Sequence, residues 1–296
     1  MVETFDKIKF ISLDESKVDK TKKYIFELED GNVMETTYID NGSNKDIICV
    51  SCQTMCTLKC KFCHLTDLVG KIKVRNITAE EILEGVKHVN DDLGLESNNR
   101  PLLISYMGAG EPVLNVDNVV ESIVLIKDYY PHSRSGLATI MPKNSMTEFF
   151  KLAERVRKYN IEMKLHLSLH FMDETVRKEW MPNALDINPA ISALDFYQKY
   201  TKNPVEIHYT LIEGQNDTED QINQLIGLME GKDINVKFLH YKERTAAGEK
   251  ACNENRAKEL VNVFADEDLQ AEFYNPPGED VGSSCGQFLL ERHAKK

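Results

Sequence analysis

A chain of 296 residues with 42% hydrophobic and 28% charged residues, 15 Gly and 9 Pro is an ordinary folded protein with enough apolar side chain for a core, neither disordered nor collagen-like. Its 36 Lys and Arg against 48 Asp and Glu give a formal net charge of −12, which argues against a basic nucleic-acid coat protein. Apolar stretches such as 102–107 fall far short of the roughly 18 residues a membrane helix needs, and the opening MVETFDKIKF has no apolar signal core, so a cytoplasmic protein with no membrane partner is expected.

Residues 1–75 hold 12 basic and 12 acidic side chains, so the whole negative balance belongs to 76–296. Lys17, Lys20, Lys22 and Lys23 form one small basic group, and Lys59, Lys61, Lys71, Lys73 and Arg75 another. Both read as solvated faces, with phosphate contact as the alternative. KYIFELEDGNVMETTYI alternates apolar and polar residues on both sides of Asp30-Gly31, which predicts a β-hairpin over 23–39 with a two-residue type I′ turn.

Beyond the hairpin, strands are expected near 46–50, 102–107, 136–140, 163–169, 205–211 and 235–240. Helical patterns fill the gaps. The first starts at Thr78, where Thr78 and Glu81 have capping-box spacing ahead of Ile82, Val86 and Val89. Others run over about 116–129, 145–159, 189–202, 217–229 and 253–264. Six strand-helix units predict parallel strands and an α/β fold, an incomplete (β/α)6 barrel preceded by a β-hairpin. The expected division is an N-terminal segment, 1–40, and the partial barrel with a C-terminal cysteine segment, 41–296.

Five of the seven cysteines fall within 15 residues: Cys49, Cys52, Cys56, Cys60 and Cys63. With no secretory leader visible and ample core, such a cluster points to metal binding or catalysis and away from a disulfide framework. Cys56, Cys60 and Cys63 are spaced C-x3-C-x2-C just after the first barrel strand, at the strand end where α/β barrels place their sites. Three thiolates can hold three irons of a [4Fe-4S] cluster and leave the fourth open to an external ligand such as S-adenosylmethionine. Zinc is the alternative, but it wants a fourth ligand, and His64 is badly placed beside Cys63.

This spacing resembles the radical S-adenosylmethionine enzymes. CVSCQTMCTLKCKFC (49–63), MGAGEPVLN (107–115), LSLH (167–170), YTLIEGQND (209–217) and GEDVGSSCGQ (278–287) together resemble the RNA adenosine-C2 and C8 methyltransferases known as RlmN and Cfr. The resemblance runs from about residue 20 to the C-terminus. It implies that Cys285, in SSCGQ, is methylated by a first S-adenosylmethionine. A 5′-deoxyadenosyl radical from a second then takes a hydrogen from that methyl group, and the carbon radical adds to an adenine carbon.

By the same resemblance Cys49 releases the product by forming a disulfide with Cys285, and Glu35 removes the adenine proton. Read alone, Cys49 is a small buried hydrophobe at a strand end, a reading that the full motif set reverses, and Glu35, sharing a face with Val33, Thr37 and Ile39, has an exposed strand carboxylate as its alternative. Gly110 and Glu111 match the segment at the amino group of S-adenosylmethionine, and Ser168, Leu169 and His170 the segment at its ribose and carboxylate. In two places the chain departs from the family: Ala138 or Thr139 stands where a serine is expected, and Tyr241 or Lys242 where an asparagine is. Cys52 and Cys252 match no role and read as structural.

The family also implies a small electron donor such as flavodoxin or ferredoxin. It carries an additional N-terminal helical domain that helps to hold RNA, which the resemblance here does not include. Together with the acidity, this leaves tRNA, ribosomal RNA or a small RNA as the expected partner. The same chemistry on a nucleotide, small molecule or protein is the alternative.

Overall fold

The computed structural model describes residues 7–40, 45–98, 100–283 and 286. Its centre is a ten-stranded sheet whose strands lie in chain order. β1 (Ile8–Glu15), β2 (Lys22–Leu28), β3 (Val33–Ile39) and β4 (Asp46–Val50) pair antiparallel. β4 then starts a parallel run through β5 (Leu102–Tyr106), β6 (Arg134–Thr139), β7 (Met163–Ser168), β8 (Val205–Leu211), β9 (Asn235–His240) and β10 (Ala271–Tyr274). The six expected barrel strands are β4 to β9. β1 is a largely exposed, charged edge and β10 only four residues long, so neither carries the apolar alternation by which strands are read.

Helices connect the parallel strands: α1 (Ala79–Leu93), α2 (Val116–Tyr129), α3 (Met146–Lys158), α4 (Glu174–Trp180), α5 (Ile187–Thr201), α6 (Glu219–Met229) and α7 (Glu254–Asp266). α1 begins as its sequence predicts. The Thr78 hydroxyl accepts from the Glu81 amide at 3.3 Å and the Glu81 carboxylate accepts from the Thr78 amide at 2.8 Å. The whole of α4 escaped the pattern because seven residues are too few to show helical periodicity. Among the described residues no helix is long and apolar enough to cross a membrane.

The hairpin turn differs from expectation. The Gly31 amide donates to the Leu28 carbonyl, the Leu28 amide donates to the Asn32 carbonyl, and of Asp30 and Gly31 only Gly31 has positive φ, at 77°. A type I′ turn needs positive φ at both central residues. The connection is instead a three-residue loop that ends in a left-handed glycine.

The strands alternate. Ile48 and Val50, Ile104 and Tyr106, Leu165 and Leu167, Ile207 and Tyr209, and Val236 and Phe238 belong to the main core, together with Ile82, Val86, Val119, Ile123, Leu152, Leu194, Leu225 and Leu260 from the helices. Burying such side chains is the dominant stabilising term. The residues between them face the barrel interior, and that interior is polar.

Candidate active site

The strand ends carry the cysteine loop. Its turn at Lys59 has positive φ, 57°, and the loop is pinned from several sides. The Lys61 amide donates to the Trp180 carbonyl at 2.7 Å, Asn183 Nδ2 to the Leu58 carbonyl at 2.9 Å, and the Thr66 hydroxyl to the Cys60 carbonyl at 2.6 Å. Arg244 Nη1 donates to the Lys61 carbonyl at 2.7 Å while its guanidinium pairs with Asp67. Trp180, Phe171 and Tyr241 pack beneath as a small separate core. Lys61 itself is engaged by Glu179 and Glu249, and Arg75 by Asp30 and Glu81, so part of the basic group has acidic partners in the fold.

Cys56, Cys60 and Cys63 all line a chamber of about 150 Å³ at the strand ends. Gly110, Glu111, Ser168 and His170 line it too. So do both members of each uncertain pair, Ala138 with Thr139 and Tyr241 with Lys242. Leu169 does not: its side chain is fully buried in the main core, and only its neighbours turn to the cavity.

Burial pushes the Cys56 thiol up to about 12 and the Cys63 thiol up to about 11, and raises Cys60 well above its ordinary value. Thiolates in such a place need a strongly positive centre beside them. Among the described residues the group of three metal-type ligands converging within 4.8 Å is His166, Glu206 and His208, and not the cysteines. The three thiols line one chamber, and as a donor set three cysteine sulfurs fit [4Fe-4S].

Glycines let the backbone close around this chamber. A Cβ on Gly108 would fall 2.6 Å from the Val50 carbonyl oxygen. On Gly110, whose φ is +105°, it would fall 2.7 Å from the Gln53 amide nitrogen and 2.8 Å from Cys52 Sγ. Cys52 is buried and packs there, and Cys252 is buried at the C-terminal end of β8, where its amide donates to the Leu211 carbonyl, as structural cysteines do. Glu111 is buried and burial lifts its carboxyl to about 7, against the lowering effect of Thr139 and of the Ile140 and Val113 amides that donate to it. His170 holds positive φ, 59°, and its Nδ1 accepts from the Thr210 amide at 2.9 Å, so the ring is neutral with its proton on Nε2. Burial lowers its pKa in the same sense.

A second chamber, of about 330 Å³, lies deeper in the barrel. Glu35 and Cys49 line it, as does Ser283, and it shares Met107, Gly108, His208 and Leu239 with the first. Glu35 is 4% exposed, its Oε2 has no hydrogen-bond partner, and burial lifts its carboxyl to about 7. The exposed-carboxylate reading of Glu35 is therefore wrong: the face it shares with Thr37 and Ile39 looks into the barrel. Lys23 likewise is no surface lysine, being 1% exposed.

Cys285 lies outside the described residues. The described residues on either side of it are Ser283, which lines the inner chamber, and Gly286, which lines the outer one and accepts from the His64 amide at 2.8 Å through its carbonyl. The segment before it is docked on the connection between β1 and β2, where the Gly278 amide donates to Asp19 and Asp280 accepts from Ser16 and the Lys17 amide.

Sequence reasoning passed over the polar wall of the inner chamber: His166, His208 and Lys237, with Glu206 buried among them. A signal was present. Parallel strands covered on both faces read as continuous apolar runs, whereas MKLHLS and VEIHYTL alternate.

The Radical SAM superfamily model matches residues 50–226. A Clostridioides difficile protein named probable dual-specificity RNA methyltransferase RlmN is 33% identical over 93% of this chain and 77% of its own length. One of the same name from Finegoldia magna is 29% identical over 95% and 78%. The crystal structure of a radical SAM methyltransferase from Sphaerobacter thermophilus superposes with a TM-score of 0.83 at 22% identity, covering 95% of this chain and 81% of that one.

Proposed function

Because the chain belongs to the radical S-adenosylmethionine superfamily and, within it, to the RlmN-like methyltransferases, we propose that it methylates an adenosine carbon, C2 or C8, in RNA by way of a methylated Cys285. Cys56, Cys60 and Cys63 would hold a [4Fe-4S] cluster, with S-adenosylmethionine against Gly110, Glu111, Ser168 and His170, and these groups when bound supply the one-electron chemistry that makes a methyl carbon reactive.

The chain's own residues do the rest. Neutral His170 and the Ser168 hydroxyl offer hydrogen-bond donors to the outer chamber, and Glu111 an acceptor for an ammonium. Apolar packing around Trp180 and Phe171 shields the cysteine loop from water. Cys285 carries the methyl group. Glu35, desolvated and titrating near neutrality, takes the proton from the adenine carbon. The Cys49 thiolate attacks the sulfur that tethers the product, so the carbon–sulfur bond breaks as a disulfide forms. The released carbon keeps the bonding pair and takes up a proton to become the methyl group, and cellular thiols reset the pair. An adenine must leave its stack to enter the chamber.

One observation carries this reading: Glu35 and Cys49 line a single chamber with Ser283, two residues before Cys285, and that chamber adjoins the one lined by the cysteine triad. Mass spectrometry of the Cys285 peptide from cell-purified protein, with nucleoside analysis of RNA treated with the anaerobic holoenzyme, tests it. The expected results are a peptide one methyl group heavier and new methyladenosine. An unmodified Cys285 in cluster-loaded protein sinks the route. A methylated Cys285 without methyladenosine moves the substrate outside RNA.

A further inference from the structure

Within the barrel the polar wall that includes His166 and His208 has no part in the chemistry just described. His166 Nδ1 lies 3.0 Å from Glu206 Oε1, Lys237 Nζ 2.9 Å from the same oxygen, and Lys164 Nζ donates to Oε2. All of Glu206's charge is thereby compensated. An ionised carboxylate only accepts, so the proton of the neutral His166 ring sits on Nδ1 and Nε2 is left as a bare acceptor. Burial keeps both rings neutral, lowering His166 to about 3 and His208 below its ordinary value. Gly136 leaves the acceptor uncovered, for a Cβ there would stand 3.4 Å from His166 Nε2.

His208 is buried alongside, its ring centroid 4.4 Å from that of His166. Its Nε2 is 3.4 Å from Glu206 Oε1, at the outer limit of a hydrogen bond, so by the same rule its proton faces that carboxylate. Glu35 Oε2, on the same chamber, is unmet, and an unmet buried polar group costs about 1–3 kcal/mol. With its Nδ1 committed to Glu206, His166 is left with Nε2 as an acceptor for a polar ligand's donor in the chamber it lines. The ligand is not a divalent cation, although the three side chains converge within 4.8 Å, because such an ion would sit against two lysine ammonium groups.

We propose that His166, its ring packed against His208, forms the base-recognition subsite of the inner chamber, its Nε2 accepting an exocyclic amino hydrogen of an adenine-type base and refusing a base that presents a carbonyl there. This rests on the reading that an adenine enters the chamber. It makes His166, its tautomer fixed by Glu206, the specificity-determining residue. A carbonyl oxygen would meet the His166 lone pair with its own, and losing a hydrogen bond at a built polar site separates substrates strongly.

The test uses the full-length, cluster-loaded protein with nitrogen-15 in its histidine rings. It is titrated with adenosine 5′-monophosphate and inosine 5′-monophosphate, which differ in that amino group. The adenosine nucleotide should shift the His166 ring nitrogens, with the inosine nucleotide at least tenfold weaker. His166→Ala should weaken adenosine nucleotide binding at least tenfold at unchanged iron content. Gly136→Ala, which keeps the imidazole and sets a methyl group in contact with its Nε2, should weaken it in the same direction if the first variant misfolds. Equal response to the two nucleotides, no response to either, or stoichiometric perturbation of both rings by zinc or iron(II) alone would overturn the proposal. Methylation of Cys285, measured on the same samples, separates the failures. If it is present and the nucleotides are ignored, the subsite fails alone. If it is absent while the nucleotides are discriminated, the chemistry fails and the subsite stands.

Discussion

Lys23 and Glu35 stand one diagonal step apart across β2 and β3: Lys23 pairs with Thr37 and Glu35 with Ile25, so both side chains leave the same face of the sheet, and both are buried. Asp14, 4.0 Å from Lys23, closes the set of charged groups that bear on Glu35. Burial lifts the Glu35 carboxyl to about 7, Lys23 opposes the rise and Asp14 adds to it. A base works only when ionised, so methyl transfer to RNA by enzyme already methylated at Cys285 should fall as pH drops below about 7 and level off above it. Lys23→Met removes the charge that favours the anion and should move this limb upward by about one pH unit or more. A single-turnover pH profile reads it. A limb that stays in place, or moves down, refutes the coupling.

Glu35→Gln separates stability from activity. Glu35 titrates at about 7 in the fold against an ordinary 4.5, so ionisation penalises the folded state. The sign follows: the penalty is absent below about pH 4.5, grows as pH rises and is complete above about 7. At about 1.36 kcal/mol per pKa unit it reaches about 3 kcal/mol, less whatever Lys23 loses with its partner. The variant should equal the parent in denaturant stability at pH 4 and exceed it at pH 8. Its methyl transfer should fall roughly 10² to 10⁴-fold. A variant less stable at pH 8 would show that Glu35 is anchored by groups other than Lys23.

The barrel and its cysteine loop were legible because spacing and alternation are local. Cys56, Cys60 and Cys63 share one chamber as their spacing implied, and the Thr78–Glu81 box formed as written. What stayed hidden depends on the far side of the fold. Lys23 sits in a run of lysines that looks solvated, yet it is interior, on the sheet face where its partner Thr37 meets Ser283 of the C-terminal segment. Leu169 lies between two chamber residues in sequence, yet strand alternation turns it to the core. The turn at Asp30-Gly31 shows the limit of dipeptide reading, since Asn32 takes the hydrogen bond that a two-residue loop would have closed earlier.

Gly110→Ala should break the outer chamber without touching a charged group. Its Cβ would sit 2.7 Å from the Gln53 amide nitrogen, and the Gln53 and Cys52 amides are both held by the Ala109 carbonyl, so that backbone cannot step aside. Positive φ at a non-glycine residue adds about 1–3 kcal/mol of strain. Thermal unfolding should show that loss, and equilibrium dialysis of cluster-loaded protein a loss of S-adenosylmethionine binding. Gly227→Ala in α6 is the control: it meets nothing within 4 Å and should stabilise by about 1 kcal/mol or less.

Cys49→Ala distinguishes a resolving thiol from a small side chain that fills space. Cys49 pairs with Thr37 and Ser105 on the strands to either side and is only partly buried, so alanine at that place creates little cavity. If the thiol only packs, turnover should stay near that of the parent. If it releases product, methylation of Cys285 should continue, methyladenosine should cease to form, and RNA should accumulate covalently attached through Cys285. A denaturing gel of labelled RNA reads that adduct as a retarded band that disappears in the Cys49→Ala, Cys285→Ala double variant. A band that persists there would place the attachment on another residue, and a Cys49→Ala variant that turns over normally would return Cys49 to a packing role.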